Sequence, residues 1–255
     1  MSGVRLTLRA EPVVALEAPG VRPDLFARLT EAEIARLPAW HGKEAVRLGD
    51  FFEVRGGQAD DVRIEGDVQR VKRLGAEMAG GRLAISGRAG RHAGAGMTGG
   101  RLVIEGDADD CTGTSMRGGV LEVRGNAGAQ FCGVLPGSSR GMAGGVALVH
   151  GSVGEGAGER LRRGVIAVAG NAGAYAGAHM LAGTLLVAGS TLELLPSFRF
   201  ACQYRPSFLP LLFQSLEAHG FEVAAHLHTG AFRRYGGDFA ELGRGEILQW
   251  TFAAH

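Results

Sequence analysis

Lysine is nearly missing from this chain: of 27 basic residues only Lys43 and Lys72 are lysine, and the rest are arginine. Arginine, alanine and glycine in such excess fit a GC-rich coding genome. Net charge is nearly missing too, with 26 acidic residues leaving +1. No charge excess therefore points to nucleic acid or an anionic membrane. Cysteine is scarce. Cys111, Cys132 and Cys202 form no CxxC pair, and three thiols cannot all pair with one another. This pattern predicts a reducing, cytoplasmic setting rather than a secreted disulfide scaffold. No apolar run reaches the roughly 18 residues a membrane helix needs. The opening MSGVRLTLRA alternates polar and apolar residues, so neither a signal peptide nor an anchor is expected there.

Glycine is what the chain has, 43 residues of it, far above the roughly 7% background. A repeat accounts for most of them. Aligned on the double glycine before each apolar run, residues 82–100, 101–119, 146–164 and 165–183 are 19-residue units. The unit 120–145 is longer by seven residues, around VLPGSSR, and holds the only proline of the repeat, Pro136. Earlier and later units begin DVRIEGD and TLLVAGS.

Three columns recur. Short runs such as Leu102-Val103-Ile104 and Leu185-Leu186-Val187 have apolar alternate members, which predicts a strand with one buried face. A glycine closes each strand: Gly66, Gly87, Gly106, Gly125, Gly151, Gly170 and Gly189. These are expected to mark corners, with positive φ at Gly106 and Gly125. Met78, Met97, Met116, Met142, Leu161 and Met180 each stand three residues before a strand and are expected to stack as interior filler. So many glycines are incompatible with helices, and a propeller blade needs about 40 residues. The fold class predicted is all-β: a right-handed parallel β-helix of about seven coils of about 19 residues, with small α/β caps.

The flanks lack the repeat, giving three regions: an N-terminal cap 1–60, the glycine-rich repeat 61–190 and a C-terminal α/β extension 191–255. Val4–Leu8 and Gly49–Val54 read as strands, and Thr30-Glu31-Ala32-Glu33 as a capping box opening a helix that stops near Pro38. Ser207–His219 reads as a helix with Phe208, Leu212 and Leu216 on one face. Phe221–His228 and Gly245–Trp250 read as strands.

Specific chemistry is sparse. Gly154–Gly158 resembles a dinucleotide fingerprint only without its strand–helix context. His226 and His228 share a strand face but need a third ligand to hold a metal. Glu105, Asp107, Asp109 and Asp110 form an acidic corner that a glycosidase pair would require, and a solvated corner explains it as well. Cys111 and Cys132 occupy non-matching columns. Arg160, Arg162 and Arg163 form a basic patch beside Leu161, suited to an acidic partner or an anionic ligand. No catalytic, cofactor-binding or metal residue is expected.

The repeated unit resembles the C-terminal β-helix domain of glutamate synthase large subunits. More specifically, PGSSRGMAGG at 136–145, followed by RRGVIAV at 162–168, resembles the C subunit of formylmethanofuran dehydrogenase. The likeness continues in Phe200–Leu209 with Tyr204-Arg205-Pro206, and in Gly237-Asp238 with Gly243–Leu248. The first 45 residues match weakly. The resemblance implies a structural, non-catalytic subunit of a heteromeric complex of one-carbon metabolism. In archaea such a complex reduces CO2 to a formyl group on methanofuran, with a molybdenum or tungsten pterin and iron–sulfur clusters in other subunits. The related bacterial formyltransferase/hydrolase complex transfers a formyl group from tetrahydromethanopterin to methylofuran and hydrolyses it to formate. The arginine-rich composition favours the bacterial form. The partners implied are amidohydrolase-like, formyltransferase and third subunits, with methylofuran and metal ions held there. Arg160, Arg162, Arg163, Tyr204 and Arg205 are the expected partner or anion contacts. A glutamate-synthase-type subunit and a carbohydrate-active β-helix enzyme are the competing readings. The latter requires aspartates on successive coils, which are missing.

Overall fold

A computed structural model describes residues 3–135, 137–219, 223 and 225–251. The N-terminal region carries β1 (Val4–Leu8), β2 (Leu16–Glu17), α1 (Pro23–Phe26) and α2 (Glu31–Ala35). It continues through β3 (Pro38–His41), β4 (Glu44–Arg47), α3 (Leu48–Phe51) and β5 (Phe52–Arg55). The repeat supplies β6 (Asp61–Glu65), β7 (Val71–Lys72), β8 (Arg82–Ile85), β9 (Arg101–Ile104) and β10 (Val120–Val123). It ends with β11 (Val146–Val149), β12 (Val165–Val168) and β13 (Thr184–Val187). Beyond it lie β14 (Arg199–Tyr204), α4 (Leu209–Ala218), α5 (Ala225–Thr229), β15 (Ala231–Gly237) and β16 (Gly245–Thr251). None of the described helices is long and apolar enough to cross a membrane.

The chain is mostly β, built on a mixed twelve-stranded sheet ordered β14-β15-β16-β13-β12-β11-β10-β9-β8-β6-β1-β5. The run from β1 to β16 is parallel, and β5, β14 and β15 close its ends antiparallel. Register follows the repeat: Leu102 lies opposite Leu83 and Leu121, one unit away on each side. A second parallel ladder of single bridges joins Val68, Ala89, Ala108, Ala127, Val153, Ala172 and Leu192. From β8 to β13 each unit thus contributes a four-residue strand and one bridging residue, and like residues stack on like. Leu83, Leu102, Leu121 and Ile166 are buried, as are all six members of the Met column from Met78 to Met180. Stacked columns of unbranched methionines fill the irregular interior that small alanines leave.

Several expectations change. Gly87, Gly106, Gly125, Gly151, Gly170 and Gly189 do not have positive φ; of that column only Gly66 does. Their requirement is close stacking. A Cβ on Gly87 would stand 2.5 Å from the Gly66 carbonyl oxygen, and one on Gly106 3.0 Å from Gly87. The left-handed corners fall instead on the glycine just before each strand, such as Gly100 (φ 77) and Gly119 (φ 85). A side-chain ladder consolidates the other corner. Asp107, Asn126, Ser152 and Asn171 each accept the backbone N–H of the equivalent residue one repeat unit on, at 2.7–3.0 Å.

In the flanks, Thr30 forms the capping box of α2 with Glu33. Residues 48–51 are the helix α3, so the strand expected from Gly49 begins only at Phe52. Helix α4 buries Leu209, Phe213 and Leu216 rather than Phe208 and Leu212. Of the strand expected at Phe221–His228, residues 220–222 and 224 lie outside the described residues, and Ala225–Thr229 is the helix α5. His226 and His228 are therefore on a helix.

Candidate functional site

Two sides of the sheet carry different chemistry. The inward-facing alternate positions form the main core. The outward positions of successive strands, among them Leu148, Ala167, Leu186 and Leu248, are buried as well, in a second cluster with Leu209, Phe213, Leu216, Leu227 and Phe232. This is why β11 to β13 show three buried residues in a row where one-faced alternation allows two.

One position of that outward column is charged. Glu122 is only 1% exposed. Its carboxylate meets Arg101 Nη2 at 2.6 Å, Arg124 Nε at 3.4 Å and His150 Nε2 at 3.4 Å. Arg101 Nη2 also donates to the His219 carbonyl at 2.6 Å, where α4 ends and its dipole favours a cation. Burial pushes the Glu122 pKa up, but hydrogen bonds from His150 and Arg101 and the charges of Arg101 and Arg124 outweigh it and hold the carboxyl below its ordinary range. The cluster joins the sheet to α4.

The expected contact residues fall in two places. Arg160, Arg162 and Arg163 surround the buried Leu161 at the corner before β12. Arg160 adopts φ 56 and its Nε stands 3.9 Å from Glu159. Arg162 is half-buried, with an Nε that finds no hydrogen-bond partner. Arg163 is exposed and occupies the column that holds Gly99, Gly118 and Gly144 in other units. Tyr204 and Arg205 lie elsewhere, at the end of the sheet's edge strand β14. Tyr204 packs half-buried against the second cluster, and burial, then Glu246, pushes its pKa up. Arg205 is exposed and lines a cavity of about 180 Å³ with Leu209, Phe213 and His228. His228 itself stands 3.6 Å from Glu217.

Sequence reading missed the edge itself. Five of the six residues of β14 are exposed, and an unpaired strand edge is a template for another chain. Phe200 is 57% exposed, and beyond it Phe239 lies under Arg199 at 5.6 Å, with Leu242 also exposed. The tying role of Asp238, which enters the sequence reading only within the Gly237-Asp238 likeness, was not legible either. Asp238 is buried and accepts the His179 and Ala240 N–H groups at 2.9 Å, tying the C-terminal turn to the last unit. Burial raises its pKa, but hydrogen bonds from Ser197 and these amides leave it lowered.

The other candidates serve the backbone or one another. Glu105 pairs with Arg124, Asp110 with Arg91 and the Ala129 N–H, and Asp109 accepts the Asp110 N–H. Gly154–Gly158 lies between a bridge residue and Leu161, with no helix following. All three cysteines are free; burial pushes the Cys111 and Cys132 thiols up, while Cys202 is exposed. Among the described residues no three His, Cys, Asp or Glu side chains are grouped to hold a metal ion.

No family model matches the chain. It is similar to the C subunit of the tungsten-containing formylmethanofuran dehydrogenase 2 of Methanothermobacter wolfeii, 46% identical over 92 residues, 34% of this chain and 34% of that protein. It is also similar to the C subunit of the formyltransferase/hydrolase complex Fhc of Methylorubrum extorquens, 34% identical over 86 residues, 34% of this chain and 32% of that one. The chain thus spans about a third of the length of the curated relatives it matches. A solved structure extends the likeness end to end. A chain of the formyltransferase/hydrolase complex FhcABCD from Methylorubrum extorquens, in complex with methylofuran, superposes with a TM-score of 0.82 at 31% identity, covering 98% of this chain and 100% of that one. With sequence and fold agreeing over that length, the chain belongs to the C-subunit family shared by formyltransferase/hydrolase complexes and formylmethanofuran dehydrogenases.

Proposed function

We propose that this chain is a non-catalytic scaffold subunit of a formyltransferase/hydrolase complex, in which partner subunits move a formyl group from tetrahydromethanopterin to methylofuran and hydrolyse it to formate. The observation that carries the reading is the end-to-end likeness to a chain of the methylofuran-containing Methylorubrum extorquens complex. In this reading the two sheet ladders are one right-handed parallel β-helix of about seven coils over 61–190. The regions 1–60 and 191–255 act as caps, and their strands β1 and β16 extend the parallel run. Stacked backbones held by side-chain ladders make a rigid rod, which suits presenting long faces to neighbours. The exposed edge β14 with Phe200, and the arginines at 160, 162, 163 and 205, are the surfaces assigned to amidohydrolase-like, formyltransferase and third subunits. Methylofuran and metal ions belong to those partners in a cytoplasmic assembly.

Co-expression of the chain with the other subunits of such a complex, followed by affinity purification, tests this. The expected result is a stable complex with formyl transfer and hydrolysis, and none from the chain alone. Turnover by the isolated chain would refute the scaffold role. A dehydrogenase complex is the second reading, favoured by the 46% identity to the tungsten enzyme over 92 residues. Tungsten or molybdenum in the purified complex would select it.

A further inference from the structure

The longest departure from the 19-residue period lies between β10 and β11. Val120 pairs with Val146, whereas the flanking pairs, Arg101 with Val120 and Val146 with Val165, keep the ordinary spacing. The described residues of this insertion do not hang free. Ser115 Oγ donates to the Arg140 carbonyl at 2.8 Å and accepts the Leu135 N–H at 3.4 Å, so one hydroxyl ties both ends of the insertion. Inside it, Ser138 Oγ accepts the Arg140 N–H at 3.1 Å. Ser115 is in turn held by its own N–H on the Gly133 carbonyl, 2.9 Å away.

The insertion walls a cleft of about 330 Å³ lined by Ser115, Arg117, Leu135, Ser138 and Arg140. No acidic residue is among the described lining. Arg117 and Arg140 are both exposed, and neither has an ion-pair partner among the described residues. Arg88, Arg91, Arg101 and Arg124, by contrast, each meet a carboxylate. More positive charge stands beside the cleft. The Met142 carbonyl accepts the Arg162 N–H, and the Met116 carbonyl accepts that of Ala143. Arg117, Ala143 and Arg162 therefore occupy one column on successive turns, with exposed Arg163 next to them.

We propose that this cleft is an oxyanion-binding site for a small ligand bearing two or more carboxylate or phosphate groups. Guanidinium forks match the two oxygens of such groups. The Ser138 hydroxyl, whose own bond to the Arg140 carbonyl is long at 3.4 Å, adds a donor, and Leu135 supplies an apolar wall. The cleft's volume falls at the lower end of small-molecule sites, roughly 300–1,000 Å³. Ser115 and the backbone on either side of it are tied down beforehand, so binding has chiefly the two exposed arginine side chains to order. The site stands on these residues alone and does not depend on the scaffold role.

Isothermal titration of the full chain with citrate, and separately with inorganic pyrophosphate, tests it. One saturable site is expected for at least one of the two probes, weakened by added salt. Arg117→Ala and Arg140→Ala should each reduce affinity about tenfold or more, as loss of a charge-assisted contact does. Arg117→Lys, which keeps the charge without the fork, should recover part of it. Arg28→Ala, an exposed arginine outside the cleft, should bind as the parent does. Circular dichroism shows that each variant is folded. Absence of saturable binding, or equal loss in Arg28→Ala, overturns the proposal. So does a result in which neither probe binds but Arg117→Ala and Arg140→Ala fail to assemble with co-expressed partners, since the occupant is then an acidic protein segment.

Discussion

Replacing Glu122 by Gln keeps the shape of the side chain and removes one negative charge from a nearly fully buried position. The parent carboxylate faces Arg101 at 2.6 Å and Arg124 and His150 at 3.4 Å. Removing one member of a buried pair costs about 3–5 kcal/mol when the partner stays buried. Here Arg101 is 33% and Arg124 52% exposed, so both can turn toward water and the loss is smaller. Arg101 also keeps its bond to the His219 carbonyl. An expected loss of about 2–3 kcal/mol follows, which in a chain of this size lowers Tm by about 4–12 °C. Thermal unfolding by circular dichroism at pH 7 reads it. The pH dependence adds a second arm. The folded-state pKa of Glu122 lies below its ordinary value, so the stabilisation is present above the ordinary carboxylate range and fades as pH falls through the lower, folded value. The gap between parent and Glu122→Gln should therefore narrow in that acid window. Equal stability at pH 7, or a gap that ignores pH, would refute this account of the cluster.

Met116→Ala should cost about 2–5 kcal/mol by leaving a cavity in the stacked interior, measured by denaturant unfolding. Gly87→Ala places a Cβ 2.5 Å from the Gly66 carbonyl oxygen and should cost about 1–3 kcal/mol through backbone displacement; the same unfolding curves report it. Titration of the native chain with an aromatic disulfide should modify exposed Cys202 rapidly and leave buried Cys111 and Cys132 unreacted until the chain unfolds. Charge reversal of Arg162 and Arg163 should loosen assembly with partner subunits without changing turnover per assembled complex. Affinity purification followed by activity per complex checks that, and lost turnover in a fully assembled variant would give these arginines a part in the reaction.

The amino-acid sequence by itself determined the repeat: its period, its strand starts, its buried methionines and the place of the insertion. These are legible because each unit is read against its neighbours, and a residue's surroundings in a stacked ladder are the same residue one period away. It also marked the α2 capping box, whose reciprocal bonds are local. What it did not contain locally was decided by distant contacts. Positive φ moved from Gly106 to Gly100 because Gly106 is required by the approach of Gly87, not by its own turn. The α5 segment alternates like a strand, yet Leu227 is buried with Phe213 and Leu216 on a helix. Leu209 and Phe213 replace Phe208 and Leu212 as buried residues because the sheet beneath α4 selects its inner face. Glu122 reads as a polar, outward strand residue. Only the C-terminal region folding back over the sheet makes it a buried charge, because α4 ends some 100 residues away in sequence and within one hydrogen bond of Arg101.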